Sequence, residues 1–397
     1  MNDPLQAFLT QHPLHFQYFN VMTSASSART TLGEGGPVGK IHTTIDPGQE
    51  YINFSTSNYL GLSQRPEVIS AAKAALERYG TGANGSPVLS GYYEPHHTLE
   101  QELADLYRTD AALVCSSGFT ANIITLTTLL SKEYDVFIDQ RSHGSIFFSA
   151  SLAGCKLRVF DGTQPDSLLR KLKASKADRK RAILTCGVFS MTGEIAPLPE
   201  LQQLAGEYEA MLIVDDAHGF GVVGSNGLGS LEHFGMTSDS VDVLVGTMSK
   251  TLGGCGGYIT GKTSVISKLR IGAPPYLLSA SIPPAIAAGV LAALRVVRSE
   301  GGKLSEHVRT LNALLAKGLS EFGYTVDGGE AAISALVTGN LESCAELAQG
   351  LQNKGILAHG ISTPGVRAGH ERIRFNVIAP HSTEDINAVL RAVRDLI

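Results

Sequence analysis

The sequence lacks most of the features that would mark a specialised class. Charged residues are only 17% of the 397, and the formal net charge is −5. No basic surplus is present to neutralise phosphates, which argues against nucleic-acid binding by charge. The five cysteines (Cys115, Cys155, Cys186, Cys255, Cys344) are an odd, scattered set without a CxxC pair. This pattern disfavours a disulfide framework or structural zinc and suits a reducing, cytoplasmic setting. The opening residues carry acid early and no basic-then-apolar run, so no secretory signal is expected. The longest weakly polar stretch, Ser279–Leu294, is too short for a membrane span and contains Pro283 and Pro284. HExxH and GxSxG are absent, and no metal site is expected: His96-His97 and Asp215/His218 lack a second ligand pair. There is no internal repeat or low-complexity tract.

What is present is an apolar fraction of 43%, ordinary for a globular chain, and 43 glycines, which imply many tight turns or close approaches. At roughly 150 residues per domain the length suggests two or three domains. The organisation reads as an irregular N-terminal segment over 1–50, a large α/β domain over 51–285 and a smaller α+β domain over 286–397. Val68, Ala71, Ala72, Ala75, Leu76 and Tyr79 recur at helical spacing. A second helix carries Leu99, Leu103, Leu106 and Tyr107, with Thr98 and Gln101 as its capping box. Apolar runs at Ala111–Cys115, Val136–Ile138, Leu157–Phe160, Ala182–Thr185, Met211–Val214 and Val243–Val245 read as strands. Helices at Ala121–Leu130, Pro165–Ala174 and Leu198–Tyr208 lie between several of them. This alternation predicts a mostly parallel, helix-covered sheet with its ligand beyond the carboxyl ends of the strands. A long helix over Ala285–Ser299, a strand at Arg372–Val377 and a final helix at Glu384–Leu396 complete the pattern.

Two phosphate motifs match by letter. Gly80-Thr-Gly82-Ala-Asn-Gly85 follows a helix rather than a strand, so a tight turn is the better reading. Gly256 to Thr263 fits GxxxxGK[ST], but Tyr258-Ile259-Thr260 look like strand, and the acidic strand end at Asp215-Asp216 precedes the loop. A strand running into a Gly-Lys turn is preferred over a P-loop NTPase.

Three strand ends carry chemistry. Ala111–Cys115 leads into Ser116-Ser117-Gly118-Phe119-Thr120 and a helix, small residues at a helix start that form an anion site. Met211–Val214 leads to Asp215 and His218, and Val243–Val245 to Thr247 and Lys250. A phosphate cradle, an acid and a lysine meeting in one crevice are what pyridoxal 5'-phosphate requires.

Those residues, with Phe54–Leu62, Gly187–Pro197, Asp215-Asp-Ala-His-Gly219, Gly246–Lys250 and Arg372-Ile-Arg374, resemble the α-oxoamine synthase family of fold-type I pyridoxal-phosphate enzymes from about Tyr51 to the end. The Asn58-Tyr-Leu-Gly and Lys250…Gly256-Gly-Tyr-Ile stretches lean toward its serine palmitoyltransferase branch. The resemblance implies decarboxylative condensation of glycine, alanine or serine with an acyl thioester of CoA or a carrier protein. The products would be an α-aminoketone, CO₂ and free thiol. Lys250 would hold the cofactor and move the Cα proton. Asp215 would pair with the ring nitrogen, His218 with the ring hydroxyl, and His143 would stack on the ring. Ser117, Gly118, Phe119, Thr247 and Ser279 would serve the phosphate or ring side, and Ser190 would lie near the ring hydroxyl. Asn58 and Arg374 would bind substrate, with Arg372 as fallback. A homodimer with the site at its interface is also implied.

The chain departs from the family pattern at Pro87, Asp161-Gly-Thr-Gln-Pro, Cys186, Thr192 and Ala280. These departures leave the acyl donor and the amino acid open. An aminotransferase of the same fold is the nearest rival. A non-catalytic partner subunit is disfavoured because Lys250 is present.

Overall fold

The computed structural model describes residues 31–32, 39–43, 46–363 and 365–396. Most of the irregular lead-in expected over 1–50 lies outside the described residues. The part that is described is not irregular: it holds strands β1 (Thr31–Leu32) and β2 (Lys40–Thr43). They continue into β3 (Tyr51–Asn53).

The central sheet is built from β4 (Ala111–Cys115), β5 (Tyr134–Asp139), β6 (Lys156–Phe160), β7 (Lys180–Cys186), β8 (Ala210–Asp215), β9 (Val243–Thr247) and β10 (Gly257–Gly261). Its order is β4-β10-β9-β8-β7-β5-β6. The pairs β9–β8, β8–β7, β7–β5 and β5–β6 are parallel, while β10 runs antiparallel to both β4 and β9. Val114, Val136, Ile183, Leu212 and Val245 are all buried, as strands covered by helices on both faces require. The letters of a P-loop therefore fall on β10, with Lys262 at the start of the helix Thr263–Gly272. Gly80–Gly85 lies in a loop, with Gly80 at φ 79°.

A smaller sheet comprises β11 (Val326–Gly328), β12 (Ile333–Val337), β14 (His359–Ile361) and β15 (Arg372–Asn376) in the order β11-β12-β15-β14. Strand β13 (Ile356–Leu357) leaves this region to pair in parallel with β3. The segment after β3 is stitched to the same side by Asn376 N–H to Phe54 O (2.8 Å) and Ala379 N–H to Tyr59 O (2.7 Å).

Several helices differ from expectation, these three among them. The helix predicted from a Thr98 box starts earlier, at Glu94, where His96 Nδ1 accepts the Tyr93 N–H (3.0 Å). Gly144–Leu152 is a helix that the apolar periodicity did not reveal. The helix expected to stop at Ser299 runs from Pro284 to Glu321, through Gly301 and Gly302. A Cβ at Gly301 would lie 2.7 Å from Asn226 O, and one at Gly302 would lie 2.7 Å from Ser225 O. The two glycines thus allow close packing against the Ser225–Asn226 loop rather than ending the helix. The helix packs first against Pro66–Tyr79 and Glu94–Tyr107, then against β12 and Thr383–Arg394.

Candidate active site

The loops after β4, β5, β7, β8 and β9 all leave the carboxyl edge of the central sheet. After β4, the Ser117 hydroxyl caps the helix Gly118–Leu129 by accepting the Thr120 N–H (3.0 Å), and Ser117 O accepts the Ala121 N–H (2.9 Å). The first turn of a helix has no internal partners for its N–H groups, so those of Gly118 and Phe119 remain for an anion. The cradle is tight. A Cβ on Gly118 would lie 3.0 Å from Thr247 Cβ, and one on Gly257 would lie 2.3 Å from Ser117 O. Thr247 Oγ1, at the end of β9, bonds Ser249 Oγ (2.8 Å) and Gly256 O (3.2 Å). Only the backbone of Phe119 reaches the cradle. Its ring is exposed and packs against Phe148 at 5.6 Å.

Asp215 ends β8, buried and level with Cys186 of β7 and Val245 of β9. Its carboxylate is oriented by neutral donors: Asn122 Nδ2 to Oδ2 (2.7 Å) and Ala217 N–H to Oδ1 (3.1 Å). The same Asn122 amide donates to Ser145 Oγ (2.9 Å), whose hydroxyl lies 2.7 Å from His143 Nδ1. Asn122 therefore ties the carboxylate to His143, which also caps the helix Gly144–Leu152. The His143 N–H points at Cys186 Sγ (3.4 Å). Sequence reading missed Asn122. Its signal was an amide buried within the apolar run Gly118–Leu129.

Lys250 sits among these groups. Burial lowers its ammonium pKa to about 8, opposed by Asp215 and Cys186 and assisted by Arg374. Burial also lowers His143, with Asp215 opposing and Lys250 assisting. His218 is held well below the usual imidazole value by burial and by Lys250, Arg374 and His143. Its Nδ1 lies 2.6 Å from the hydroxyl of Tyr59, a fully buried residue that sequence reading left without a role.

Arg374 on β15 completes the ring of charges. Burial lowers its pKa, Nη1 donates to Ser190 O (3.1 Å), and Nε is buried without a partner. Arg372 shares its face but is committed: Nη1 to Asp327 Oδ2 (2.7 Å) and Nε to His370 O (2.9 Å). It is not free to bind a carboxylate, which removes it as the fallback. Asn58 Nδ2 donates to Ser63 Oγ (2.7 Å), and its Oδ1 is buried without a partner. Ser190 is buried, with its backbone oxygen turned to Arg374. Ser279 lies in an exposed stretch beside Leu278. His96 is no ligand, since Nδ1 accepts from Tyr93 and Nε2 lies 2.8 Å from Ile282 O. No group of three or more metal-ligating side chains occurs among the described residues. No helix among them is long and apolar enough to cross a membrane.

These groups fit pyridoxal phosphate on their own chemistry: free N–H groups and Thr247 for phosphate, Asp215 for the ring nitrogen, and an amine of lowered pKa for the aldehyde. Comparison with known proteins agrees. Residues 49–393 match the family described as aminotransferase class I and II. The chain belongs to that family. It is 38% identical over 350 residues to 8-amino-7-oxononanoate synthase 1 of Bacillus velezensis, covering 87% of this chain and 88% of that one. The same enzyme of Cellvibrio japonicus is 36% identical over 343 residues, covering 86% of each chain. Among solved structures, Sphingomonas wittichii serine palmitoyltransferase superposes with TM-score 0.91 at 30% identity, covering 99% of this chain and 98% of that one. An 8-amino-7-oxononanoate synthase from Francisella tularensis gives 0.76 at 25% identity, covering 87% and 97%. The chain is thus a fold-type I, pyridoxal-phosphate-dependent enzyme of the α-oxoamine synthase type.

Proposed function

We propose that the chain condenses a small amino acid (glycine, alanine or serine) with an acyl thioester, releasing CO₂ and thiol to leave an α-aminoketone. The observation that carries this is the free, buried guanidinium of Arg374, electrostatically coupled to Lys250 and His218. A planar fork without a carboxylate partner of its own suits a substrate carboxylate.

Bound pyridoxal phosphate supplies an aldehyde and an electron-withdrawing pyridinium. The chain's residues do the rest. Gly118 and Phe119 N–H groups with Thr247 anchor the phosphate, and Asp215 keeps the ring nitrogen protonated. Arg374 fixes the substrate carboxylate and so orients the Cα–H toward the Lys250 amine. With its pKa lowered to about 8, that amine is a competent base near neutrality. His143, oriented through Ser145 and Asn122, presents its other ring nitrogen where charge develops on the thioester carbonyl. A cavity of about 460 Å³ borders the turn after Lys250, lined by Val68, Ile69, Ala72, Leu252, Ile286 and Val290 among others. This apolar space suits the acyl chain.

The working unit is a homodimer. Leu89, Ile271 and Leu278 are 84%, 78% and 85% exposed. The Leu278 stretch is pinned to the Leu89 loop by Ser281 N–H to Gly85 O (3.0 Å). Such exposed large side chains mark an interface, and Ser279 on that face would reach the partner's cradle. Five free cysteines support a cytoplasmic location.

The test is thiol release from an acyl-CoA series offered with glycine, alanine or serine. Chain-length-dependent release of thiol and CO₂ is expected. Amino transfer to a keto acid with no thiol from any pair would show an aminotransferase instead. Sedimentation of the wild type against Leu278→Asp checks the dimer.

A further inference from the structure

We propose that Tyr59 is a positioning residue that fixes the tautomer of His218, donating its phenolic proton to Nδ1 so that Nε2 carries the imidazole proton toward the cofactor's ring hydroxyl. The inference rests on the proposed placement of that hydroxyl beside His218.

Tyr59 and His218 come from opposite parts of the fold. Tyr59 lies in the segment after β3 that is stitched to the small sheet, while His218 lies in the loop after β8. Their polar atoms are 2.6 Å apart and buried. An imidazole nitrogen and a phenol can share one proton in either direction, so the surroundings decide. The Tyr59 phenol is pushed up to about 12, chiefly by burial, so it keeps its proton. The Arg374 cation opposes that rise, which makes the phenol the more acidic and so the better donor. A phenol is a strong donor and a weak acceptor, whereas an unprotonated imidazole nitrogen is a strong acceptor, so a contact of 2.6 Å favours O–H donating to N. Nδ1 is the acceptor within reach of that proton.

His218 is kept neutral by burial and by Lys250, Arg374 and His143, so it holds only one ring proton. Filling Nδ1 from Tyr59 sends that proton to Nε2. Left to itself, a neutral imidazole would divide its proton between the two nitrogens. An Nε2 acceptor facing an oxygen of the cofactor would repel rather than hold it.

The experiment uses the holoenzyme. Nitrogen-15 spectra of histidine-labelled protein, with His218 assigned by its loss in His218→Asn, should show Nδ1 as unprotonated acceptor and Nε2 as protonated. In Tyr59→Phe the two signals should move toward an average. The bound cofactor's ratio of long- to short-wavelength absorbance should fall by roughly tenfold, the size of one hydrogen bond to a charged oxygen. A wild-type His218 protonated at Nδ1 would overturn the proposal, and so would an unchanged band ratio in Tyr59→Phe. If Tyr59→Phe does not fold, the wild-type spectrum still decides. A wild type that binds cofactor but releases no thiol would overturn the function above and leave this inference standing.

Discussion

The end of β8 and strand β15 each place two like charges close together in the chain, and in each the two charges have opposite fates. Asp215 is held by the neutral donors Asn122 and Ala217, and Arg374 by the neutral carbonyl of Ser190. Their partners in sequence are sealed away. Arg372 is paired with Asp327. Asp216 is 1% exposed and accepts the Ser230 N–H (2.8 Å), and a Cβ on Gly187, Gly219 or Gly229 would collide with its carboxylate. Neutral neighbours orient a charge without cancelling it, so it stays available to a ligand; an ion pair or a sealed pocket uses the charge up. Formal charge and position on the strand do not distinguish the two kinds. Their neighbours do.

The comparison can be broken experimentally. The largest effect belongs to the charge at the centre of the ring. Lys250→Ala should lower thiol release by about 10³-fold or more and abolish the cofactor–lysine absorbance. In protein freed of cofactor, reaction of the Lys250 amine with added aldehyde should accelerate as pH rises through about 8, where the amine loses its proton. A rate flat across that range would contradict the assigned environment.

Next comes the arginine pair. Arg374→Ala should raise the amino-acid KM by roughly 10²-fold with little loss of melting temperature. Arg372→Ala should do the reverse, costing about 2–4 kcal/mol by leaving Asp327 unpaired while KM in the folded enzyme holds. Equal effects of the two on KM would erase the distinction.

The aspartates should separate by pH. Burial raises Asp216 from 3.8 to about 7, so the native state binds a proton there that the unfolded chain has released. Its contribution to stability therefore falls as pH rises from about 4 to 7. Asp216→Asn should flatten that decline in a denaturation series while leaving the absorbance of bound cofactor unchanged. Asp215→Asn should alter the absorbance and turnover instead. The smallest effect is expected at Ser117→Ala, where losing the helix cap should cost about 1 kcal/mol of stability.

The sheet and its ligand edge were legible because buried parallel strands are short, continuous apolar runs, and chemistry-bearing residues follow their ends. Asp215 and Lys250 could be placed by that rule alone. Asn122 could not, because its role depends on a helix face meeting β8 across 93 positions of chain. Arg372 was over-read, since strand alternation gives the face of a side chain but not the carboxylate that meets it. The long helix was under-read because Gly301-Gly302 resembles a stop until the loop packed against it is known.

The parallel pairing of β3 with β13 has a temporal meaning. One edge of β3 is met at once by β2, where Lys40 lies opposite Ile52, but its other edge must wait for Ile356, roughly three hundred residues later, and closing so long a loop is slow. The segment Phe54–Tyr59, and with it the Tyr59–His218 contact, can settle only after nearly the whole polypeptide has left the ribosome. Competence for chemistry is therefore among the last properties a newly made chain acquires.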